Sequence, residues 1–301
     1  MRAAITGARG FAGRHLAAHL LDEGDDVVGL DVVGETPIDV TDADAVLITV
    51  STARPEVLYH LAAWTHVGES FGNEDAVQRV NVDGTANVLA ACVAGGVRRV
   101  VVVGSSEEYG SVGVRSDPIR EDEPLRPLSP YARTKVAAEE LALTAGRDGP
   151  LEVVCVRSFS HTGPGQSPRF LVPGLAARIV VAERTGRGEI VIGNLDPVRD
   201  YSDVRDVVRA YRMLADRGEP GHVYNVCSGH GRSVAEIATA LLELADRRLQ
   251  LVVDPELVRP TDVPRLVGDG TRLRLATGWQ PAIPFERTLA DVLGEARAAP
   301  G

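Results

Sequence analysis

The first 22 residues are the part of the sequence that most constrains the fold of this chain. Residues 2–6, RAAIT, predict a buried strand, and the apolar segment HLAAHLL predicts a helix. Gly7, Gly10 and Gly13 lie between them. Glycines allow a tight turn close to a pyrophosphate, and a helix start presents free amide groups to its charge. The segment predicts a phosphate-binding turn; an ordinary turn is the alternative, since the glycines do not form GxGxxG.

A second strand, DDVVGLD, supports dinucleotide binding because it ends in an acid. Asp31 stands eighteen residues after Gly13, near the spacing of a carboxylate that accepts hydrogen bonds from both hydroxyls of an adenosine ribose. No Arg or Lys follows Asp31 directly, so a 2′-phosphate would meet an acid without an adjacent base. We therefore predict NAD(H) over NADP(H), with NADP(H) use possible and Arg9 as the nearby cation able to weaken the preference.

Short apolar runs recur along the first half of the chain. They predict strands at residues 2–6, 26–31, 56–60, 99–103 and 152–157, with helical segments between them. Runs such as RRVVVVG alternate little, as expected for strands covered by helices on both faces. The fold class is α/β, with a doubly wound parallel sheet. Beyond residue 160, Gly and Pro clusters, short strands and helices near 173–184 and 234–245 indicate a smaller C-terminal substrate domain.

The composition excludes several classes of protein. The chain has 301 residues, 44% of them hydrophobic, and a formal net charge of -10, which argues against a nucleic-acid partner. No apolar run reaches membrane-spanning length and the start does not resemble a leader, so no membrane association is expected. Three dispersed cysteines indicate neither a disulfide framework nor a zinc motif and fit a reducing cytoplasm. His15 and His19 lack an evident third ligand, and no metal is predicted.

The pentapeptide YARTK is the strongest indication of chemistry. Tyr131 and Lys135 are four residues apart and share one helix face. Ser129 is a candidate N-cap and Pro130 a candidate first-turn residue, so the helix is expected to begin just before the tyrosine. A nearby ammonium favours the phenolate and is expected to lower the tyrosine pKa from about 10, making it a proton donor and acceptor. An ordinary surface pair is the alternative.

Seven motifs in one order resemble a known family. They are the glycine loop, IDVTD with Asp39, HLAA at 60–63, NVDGTANVL from Asn81, GSSEEYG from Gly104, YARTK, and RDYSDVRD from Arg199. Over nearly its whole length the chain resembles the extended short-chain dehydrogenase/reductases, the NAD-dependent epimerase/dehydratase family of nucleotide-sugar enzymes. The resemblance implies a Rossmann domain over residues 1–165, completed by 200–228. The substrate domain would then comprise 166–199 and 229–301.

The resemblance also implies which residues bind the dinucleotide. Asp39 and Val40 would lie near the adenine, and Leu61, Ala62 and Ala63 would line the cofactor cleft. The implied set is Gly7, Gly10, Phe11, Ala12, Gly13, Asp31, Asp39, Val40, Leu61, Ala62, Ala63, Asn81, Tyr131 and Lys135.

Ser105, Tyr131 and Lys135 form the implied catalytic set. RRVVVVG delivers Ser105 to the carboxyl edge of the sheet, where ligands bind. Ser105 would polarise the sugar oxygen, Tyr131 would transfer the proton, and Lys135 would lower the tyrosine pKa and hold the nicotinamide ribose. Glu107 stands where related dehydratases keep an acid, but related 4-keto reductases resemble this stretch too, and a solvated carboxylate is the other reading.

The segment RSFSHTGPGQ, residues 157–166, most resembles reductases of GDP-4-keto-6-deoxy-D-mannose. Those enzymes usually carry asparagine where Ser160 stands, and a hydroxyl in place of an amide leaves the sugar identity open. Arg199 and Arg259 can each offer a planar fork to diphosphate oxygens. By resemblance Asp262 lies near the nucleotide ribose or base. Thr65, Ser106 and Glu107 complete the candidate substrate contacts.

The predicted activity is reduction of the C4 ketone of a GDP- or dTDP-linked 4-keto-6-deoxyhexose. A nucleotide-sugar 4-epimerase or 4,6-dehydratase that retains NAD is the alternative within enzymes, since HVGESF at residues 66–71 resembles epimerases. A non-enzymatic dinucleotide sensor is the alternative outside enzymes. By resemblance, helices near 76–95 and 130–146 would pair in a homodimer.

Overall fold

The computed structural model describes residues 1–34, 37–111, 117–257 and 263–299. Its strands, numbered along the chain, are β1 Arg2–Thr6, β2 Asp26–Leu30, β3 Val57–His60, β4 Arg99–Ser105, β5 Glu152–Ser158, β6 Ser160–Thr162, β7 Glu189–Ile192, β8 Val198–Asp203, β9 Val223–Val226, β10 Gly231–Ser233, β11 Gln250–Val253 and β12 Arg265–Leu266. Its helices are α1 Phe11–Asp22, α2 Ala43–Ala53, α3 Val67–Ser70, α4 Glu74–Gln78, α5 Gly84–Ala94, α6 Pro130–Asp148, α7 Leu171–Thr185, α8 Val204–Arg217, α9 Val234–Glu243, α10 Thr271–Thr277 and α11 Phe285–Ala298.

The main sheet within the described ranges has six strands in the order β2-β1-β3-β4-β5-β9. Every neighbouring pair is parallel. The order reverses direction between β1 and β3, which is the hallmark of a doubly wound sheet. The predicted fold class is therefore confirmed, and the strand bounds differ from the predicted ones by two residues at most.

Helices cover both faces of this sheet. On one face, Leu16 and Leu20 of α1 pack with Val207 and Tyr211 of α8. On the other face, α2, α5 and α6 supply a second core. Because both faces are buried, most strand residues are apolar and do not alternate with polar ones; all four residues of β3 are buried.

The C-terminal part has a core of its own. Helices α7, α9 and α11 pack around Leu175, Ile179, Leu241 and Leu289. Two small sheets accompany them: β8 pairs with β6, β10 and β12, and β7 pairs with β11. Meanwhile α8 and β9 return to the main sheet, where β9 extends it beside β5. The C-terminal part of the chain thus forms a second core and also supplies β9, the last strand of the main sheet.

None of the helices in the described part of the chain combines the length and apolar composition needed to cross a bilayer. In the same residues, His, Cys, Asp and Glu side chains nowhere gather in a group of three that could hold a metal ion. The three cysteines are free and buried.

Candidate active site

A cleft of about 1230 Å³ runs along the carboxyl ends of the parallel strands. Residues that follow β1, β2, β3, β4 and β5 all contribute to its wall. Open α/β sheets bind ligands at this edge, where the strand order reverses. The cleft is thus the natural site for the chemistry that the motifs predict.

The glycine loop forms one end of the cleft. The Gly7 amide donates to the Leu30 carbonyl at 2.8 Å, and the Gly10 amide donates to the Gly7 carbonyl at 3.0 Å. Gly7 has φ +70°, and a Cβ on it would lie 2.8 Å from the Ala62 amide nitrogen. Gly10 is the N-cap of α1 without a side-chain cap, so the free amide groups of the first turn face the cleft. The loop has the form of an anion-binding turn.

Replacing Gly13 with Ala is expected to damage this turn. The new Cβ would overlap the carbonyl oxygen of Gly7 and crowd the Ala8 backbone. We expect a destabilisation of about 1–3 kcal/mol, typical of an overpacked site, together with weaker binding of a dinucleotide. Urea unfolding and titration with NADH measure both.

The matched control is Gly294→Ala in α11, where a Cβ meets nothing within 4 Å. That change is expected to stabilise the protein slightly, because Ala is a better helix former than Gly. Equal effects of the two substitutions would contradict the close approach between Gly13 and Gly7.

Asp31 lies beside the glycine loop and lines the cleft together with Asp39. The Asp31 carboxylate accepts from the amides of Arg9 at 2.8 Å and Val33 at 3.1 Å. A carboxylate has about four acceptor positions, so two remain for a ribose diol. The Arg9 guanidinium lies beside Gly34. Asp39 accepts from the amide and hydroxyl of Thr41, both at 2.9 Å, and lines the cleft together with Val40.

The loop after β3 forms the middle of the wall through Leu61, Ala62 and Ala63. The Thr6 hydroxyl accepts from the Leu61 and Ala62 amides, each at 3.2 Å. His60, just before them, is buried with both ring nitrogens hydrogen-bonded, to Thr6 and Thr85. Burial lowers the pKa of His60 to about 3, so its ring is neutral.

Asn81 lies behind this loop and outside the described cleft wall. Its Oδ1 accepts from the Trp64 amide at 2.7 Å, and its Nδ2 donates to Thr134 at 3.0 Å. Asn81 is almost fully buried. It therefore holds the loop that lines the cleft rather than lining the cleft itself.

Ser105, Tyr131 and Lys135 meet at the end of β4. The Ser129 side chain accepts from the Ala132 amide at 3.0 Å, which confirms the predicted N-cap of α6 and places Tyr131 in the first turn. The Ser105 hydroxyl hydrogen-bonds to the Tyr131 hydroxyl. One turn later, the Lys135 ammonium donates to the Val103 carbonyl at 2.7 Å. All three side chains line the cleft and are less than 10% exposed.

The predicted lowering of the Tyr131 pKa is wrong for this arrangement. Burial, the largest cause, raises the pKa of Tyr131, and the charges of Glu108 and Glu107 raise it further, while the hydrogen bond from Ser105 opposes them. Burial also lowers the pKa of Lys135. The physical reason is that desolvation disfavours the phenolate more than the neighbouring ammonium, which is directed at a carbonyl, favours it.

Four further candidates line the cleft near this group: Thr65, Ser106, Glu107 and Ser160. Arg199 is placed differently. Its Nη1 donates to the carbonyls of Val198 at 3.1 Å and Val263 at 2.6 Å, outside the described cleft wall. Arg259 and Asp262 lie outside the described residues.

Several cleft residues were missed by reasoning from the sequence, among them Trp64, Tyr201 and Tyr211. Tyr201 stands in the quoted RDYSD motif, which was a usable signal. In the sequence, Tyr211 occupies an apolar position of the α8 helical pattern. In the structure its hydroxyl donates to the Ser158 hydroxyl at 2.9 Å, and both residues line the cleft. Helical periodicity shows only that such a residue is buried and not what its polar end contacts.

Comparison with known proteins gives a consistent result. Residues 3–227 match the model of the NAD dependent epimerase/dehydratase family. The chain is 34% identical over 294 residues to GDP-6-deoxy-D-mannose reductase of Pseudomonas aeruginosa, covering 97% of this chain and 95% of that protein.

Two solved structures resemble the fold closely. RMD from Pseudomonas aeruginosa complexed with NADPH has a TM-score of 0.91 and 34% identity, covering 99% of both chains. UDP-glucose 4-epimerase of Thermus thermophilus complexed with NAD has a TM-score of 0.89 and 29% identity, covering 99% of this chain and 100% of that one. With these motifs in the cleft of a doubly wound sheet, the chain belongs to the NAD dependent epimerase/dehydratase family.

Proposed function

We propose that this protein is an NAD(P)H-dependent reductase of a nucleotide-linked 4-keto-6-deoxyhexose, yielding a 6-deoxysugar nucleotide. One observation carries the proposal: the hydroxyls of Ser105 and Tyr131 and the ammonium of Lys135 line the same cleft as the glycine loop. The glycine loop would hold the phosphates of a dinucleotide bound in that cleft, and Ser105, Tyr131 and Lys135 would serve the chemistry of its nicotinamide.

The residues present fit such a cofactor. The loop after β1 leaves no room for side chains at Gly7 or Gly13, and backbone of this kind can approach a pyrophosphate. Asp31 retains acceptor capacity for the adenosine ribose. When bound, the nicotinamide supplies the hydride to C4.

Side chains of the protein hold and transfer the proton that the C4 oxygen receives. Tyr131, kept protonated by burial, is the donor to the oxygen on C4. Ser105 donates a hydrogen bond at the same place and holds the phenol in position. Lys135 is anchored by the Val103 carbonyl and has further N–H donors for the cofactor ribose.

Similarity to GDP-6-deoxy-D-mannose reductase supports a GDP-linked substrate; a dTDP-linked sugar is the second candidate. Thr65, Ser106, Glu107 and Ser160 are proposed sugar contacts, since they line the cleft beside Tyr131. Arg199, Arg259 and Asp262 remain proposed contacts of the nucleotide.

The direct test is incubation of the purified protein with NADH or NADPH and GDP- or dTDP-4-keto-6-deoxyhexose. Loss of reduced-nicotinamide absorbance with formation of a 6-deoxysugar nucleotide supports the proposal. Absence of cofactor oxidation with either sugar would refute this substrate class.

For the cofactor we propose NAD(H) over NADP(H), because the Asp31 carboxylate beside the glycine loop would accept hydrogen bonds from ribose hydroxyls and would repel a 2′-phosphate. The Pseudomonas aeruginosa RMD structure contains NADPH, and Arg9 beside Gly34 is a cation within reach of a 2′-phosphate. Comparison of kcat/KM for NADH and NADPH decides this. A clear preference for NADPH would contradict the cofactor preference that we infer from Asp31.

An epimerase or dehydratase is the second candidate, favoured by the similarity to UDP-glucose 4-epimerase and by the HVGES segment in α3 and its cap. Such enzymes reuse their nicotinamide within each cycle. Ultraviolet absorbance of tightly retained NAD in the purified protein, and product formation without added reductant, would favour this reading.

We also propose a cytoplasmic homodimer that binds neither nucleic acid nor membranes. The free cysteines suit a reducing compartment, and the net charge of -10 disfavours nucleic acid. The helices near residues 76–95 and 130–146 are the proposed dimer contact. Analytical ultracentrifugation tests this: a monomer at micromolar concentration would refute it.

A further inference from the structure

A buried carboxylate, Glu108, lies directly behind Ser105. Its side chain is 0% exposed. Its Oε1 accepts from the Ser105 main-chain amide at 2.6 Å, while the Ser105 hydroxyl accepts from the Glu107 amide at 3.2 Å. These reciprocal bonds form a capping box around the short helical turn Ser106–Tyr109. Glu108 therefore fixes the backbone that carries the Ser105 hydroxyl.

The second oxygen of Glu108 is not satisfied in the same way. Oε2 lies 3.5 Å from Nε of Arg157, yet it has no hydrogen-bond partner among the described residues. Arg157 directs its N–H groups elsewhere: Nε and Nη2 donate to Glu139 at 3.0 and 2.7 Å, and Nη1 donates to the Tyr109 hydroxyl at 3.0 Å. One guanidinium thus stands between two buried carboxylates and pairs fully with only one.

We propose that Glu108 is a positioning residue of the catalytic group: its carboxyl holds Ser105 through the main chain, and the gain or loss of one proton on it sets the charge behind Tyr131 and Lys135. The inference rests on the proposed reductase function, because it assigns Glu108 a part in the same proton transfer.

Charged and titratable groups face Glu108 from two elements. Helix α6 contributes Tyr131, Lys135 and Glu139, and strand β5 contributes Cys155 and Arg157. With Glu108 ionised, two anions balance the ammonium and the guanidinium. With Glu108 protonated, the cluster carries one excess positive charge.

The surroundings of Glu108 place its pKa within the pH range in which enzyme activity can be measured. Burial, followed by the charge of Glu139, raises the pKa of Glu108 to about 8, although the Ser105 amide, Arg157 and Lys135 oppose the rise. Ionised Glu108 in turn raises the pKa of Tyr131 and of Lys135. It thereby keeps the phenol protonated and the ammonium charged to higher pH.

The test is the pH dependence of kcat and KM for Glu108→Gln, whose amide oxygen can still accept from Ser105. We expect the basic limb of the kcat profile to move to lower pH by about one unit, a size typical of coupled titrations, with little change in KM. Glu108→Asp restores the charge and should return the limb toward that of the unmodified protein. Glu140→Gln on the exposed face of α6 is the control and should leave the limb unmoved.

Stability provides a second measurement that needs no substrate. Because the folded pKa of Glu108 is raised, its contribution to stability is fully present below the unfolded pKa and is lost as pH rises toward about 8. Raising the pH should therefore lower the Tm of the unmodified protein relative to that of Glu108→Gln, whereas Glu140→Gln should follow the unmodified protein.

The outcomes separate the two hypotheses. An unmoved basic limb of the kcat profile, or Tm curves that run parallel, would overturn the proposed role of Glu108. A lower kcat without a shift of the basic limb would show that Glu108 is only a structural contact, and it would also overturn the proposal. Failure of the unmodified protein to reduce any 4-keto sugar would instead refute the reductase proposal. In that event the Tm comparison still decides whether Glu108 titrates behind Ser105, and parallel curves would overturn it.

Discussion

Replacing Tyr131 with Phe is expected to lower kcat by about 10²–10⁴-fold, the usual contribution of a general acid. The phenyl ring fills the same buried space, so fold and dinucleotide affinity should change little. What is lost is the hydroxyl that hydrogen-bonds to Ser105 at the end of β4. Steady-state kinetics with the 4-keto sugar, together with a titration of NADH binding by fluorescence, measures both effects.

Tyr224→Phe is the matched control. Tyr224 is also almost fully buried, but its hydroxyl accepts from the Glu219 amide at 2.9 Å, away from the described cleft wall. We expect near-normal kcat for that variant. If Tyr131→Phe kept its biological activity while still binding the dinucleotide, catalysis through Tyr131 would be wrong and a sensing role would be favoured.

Replacing Arg157 with Met is expected to destabilise the protein by about 3–5 kcal/mol, the usual result of removing one partner of a buried ion pair. Arg157 is 5% exposed and makes two hydrogen bonds to Glu139 at 3.0 and 2.7 Å. Without the guanidinium, Glu139 and Glu108 would remain as two buried carboxyls without their shared cation. The loss should be greater at higher pH, where both carboxyls are ionised. Urea unfolding at two pH values measures it.

Arg98→Met is the control for this second prediction. Arg98 donates to Glu152 at 2.9 Å, but its side chain is 50% exposed and that of Glu152 is 36% exposed. Exposed ion pairs contribute about 0–1 kcal/mol, so the variant should stay close to the unmodified protein. A loss of less than about 1 kcal/mol for Arg157→Met would show that the buried cluster is not electrostatically coupled as described.

The fold was largely predictable because its signals are local. The apolar runs placed five strands of the main sheet, and the serine before YARTK placed the start of α6. Strand β9 and helix α8 were assigned to the first domain only by resemblance, since no spacing between residues 160 and 223 shows that β9 pairs with β5. Pairing between distant segments depends on the path of the whole chain.

The candidate site was predictable in its members but not in its electrostatics. Tyr131, Lys135 and Ser105 are recognisable from motifs, yet the direction of the Tyr131 pKa shift was wrong because burial and the nearby glutamates decide it. Arg199 was recognised as a fork for phosphates, whereas its guanidinium contacts two main-chain carbonyls.

By itself, the order of residues determined the alternation of strands and helices, the glycine turn and the helix that begins just before Tyr131, since each depends on neighbours within about one or two turns of chain. Only the tertiary structure decided that Glu108, Glu139 and Arg157 meet as a buried cluster behind Ser105. Desolvation and charge–charge distances are properties of three-dimensional surroundings, which residues far apart in the chain create together.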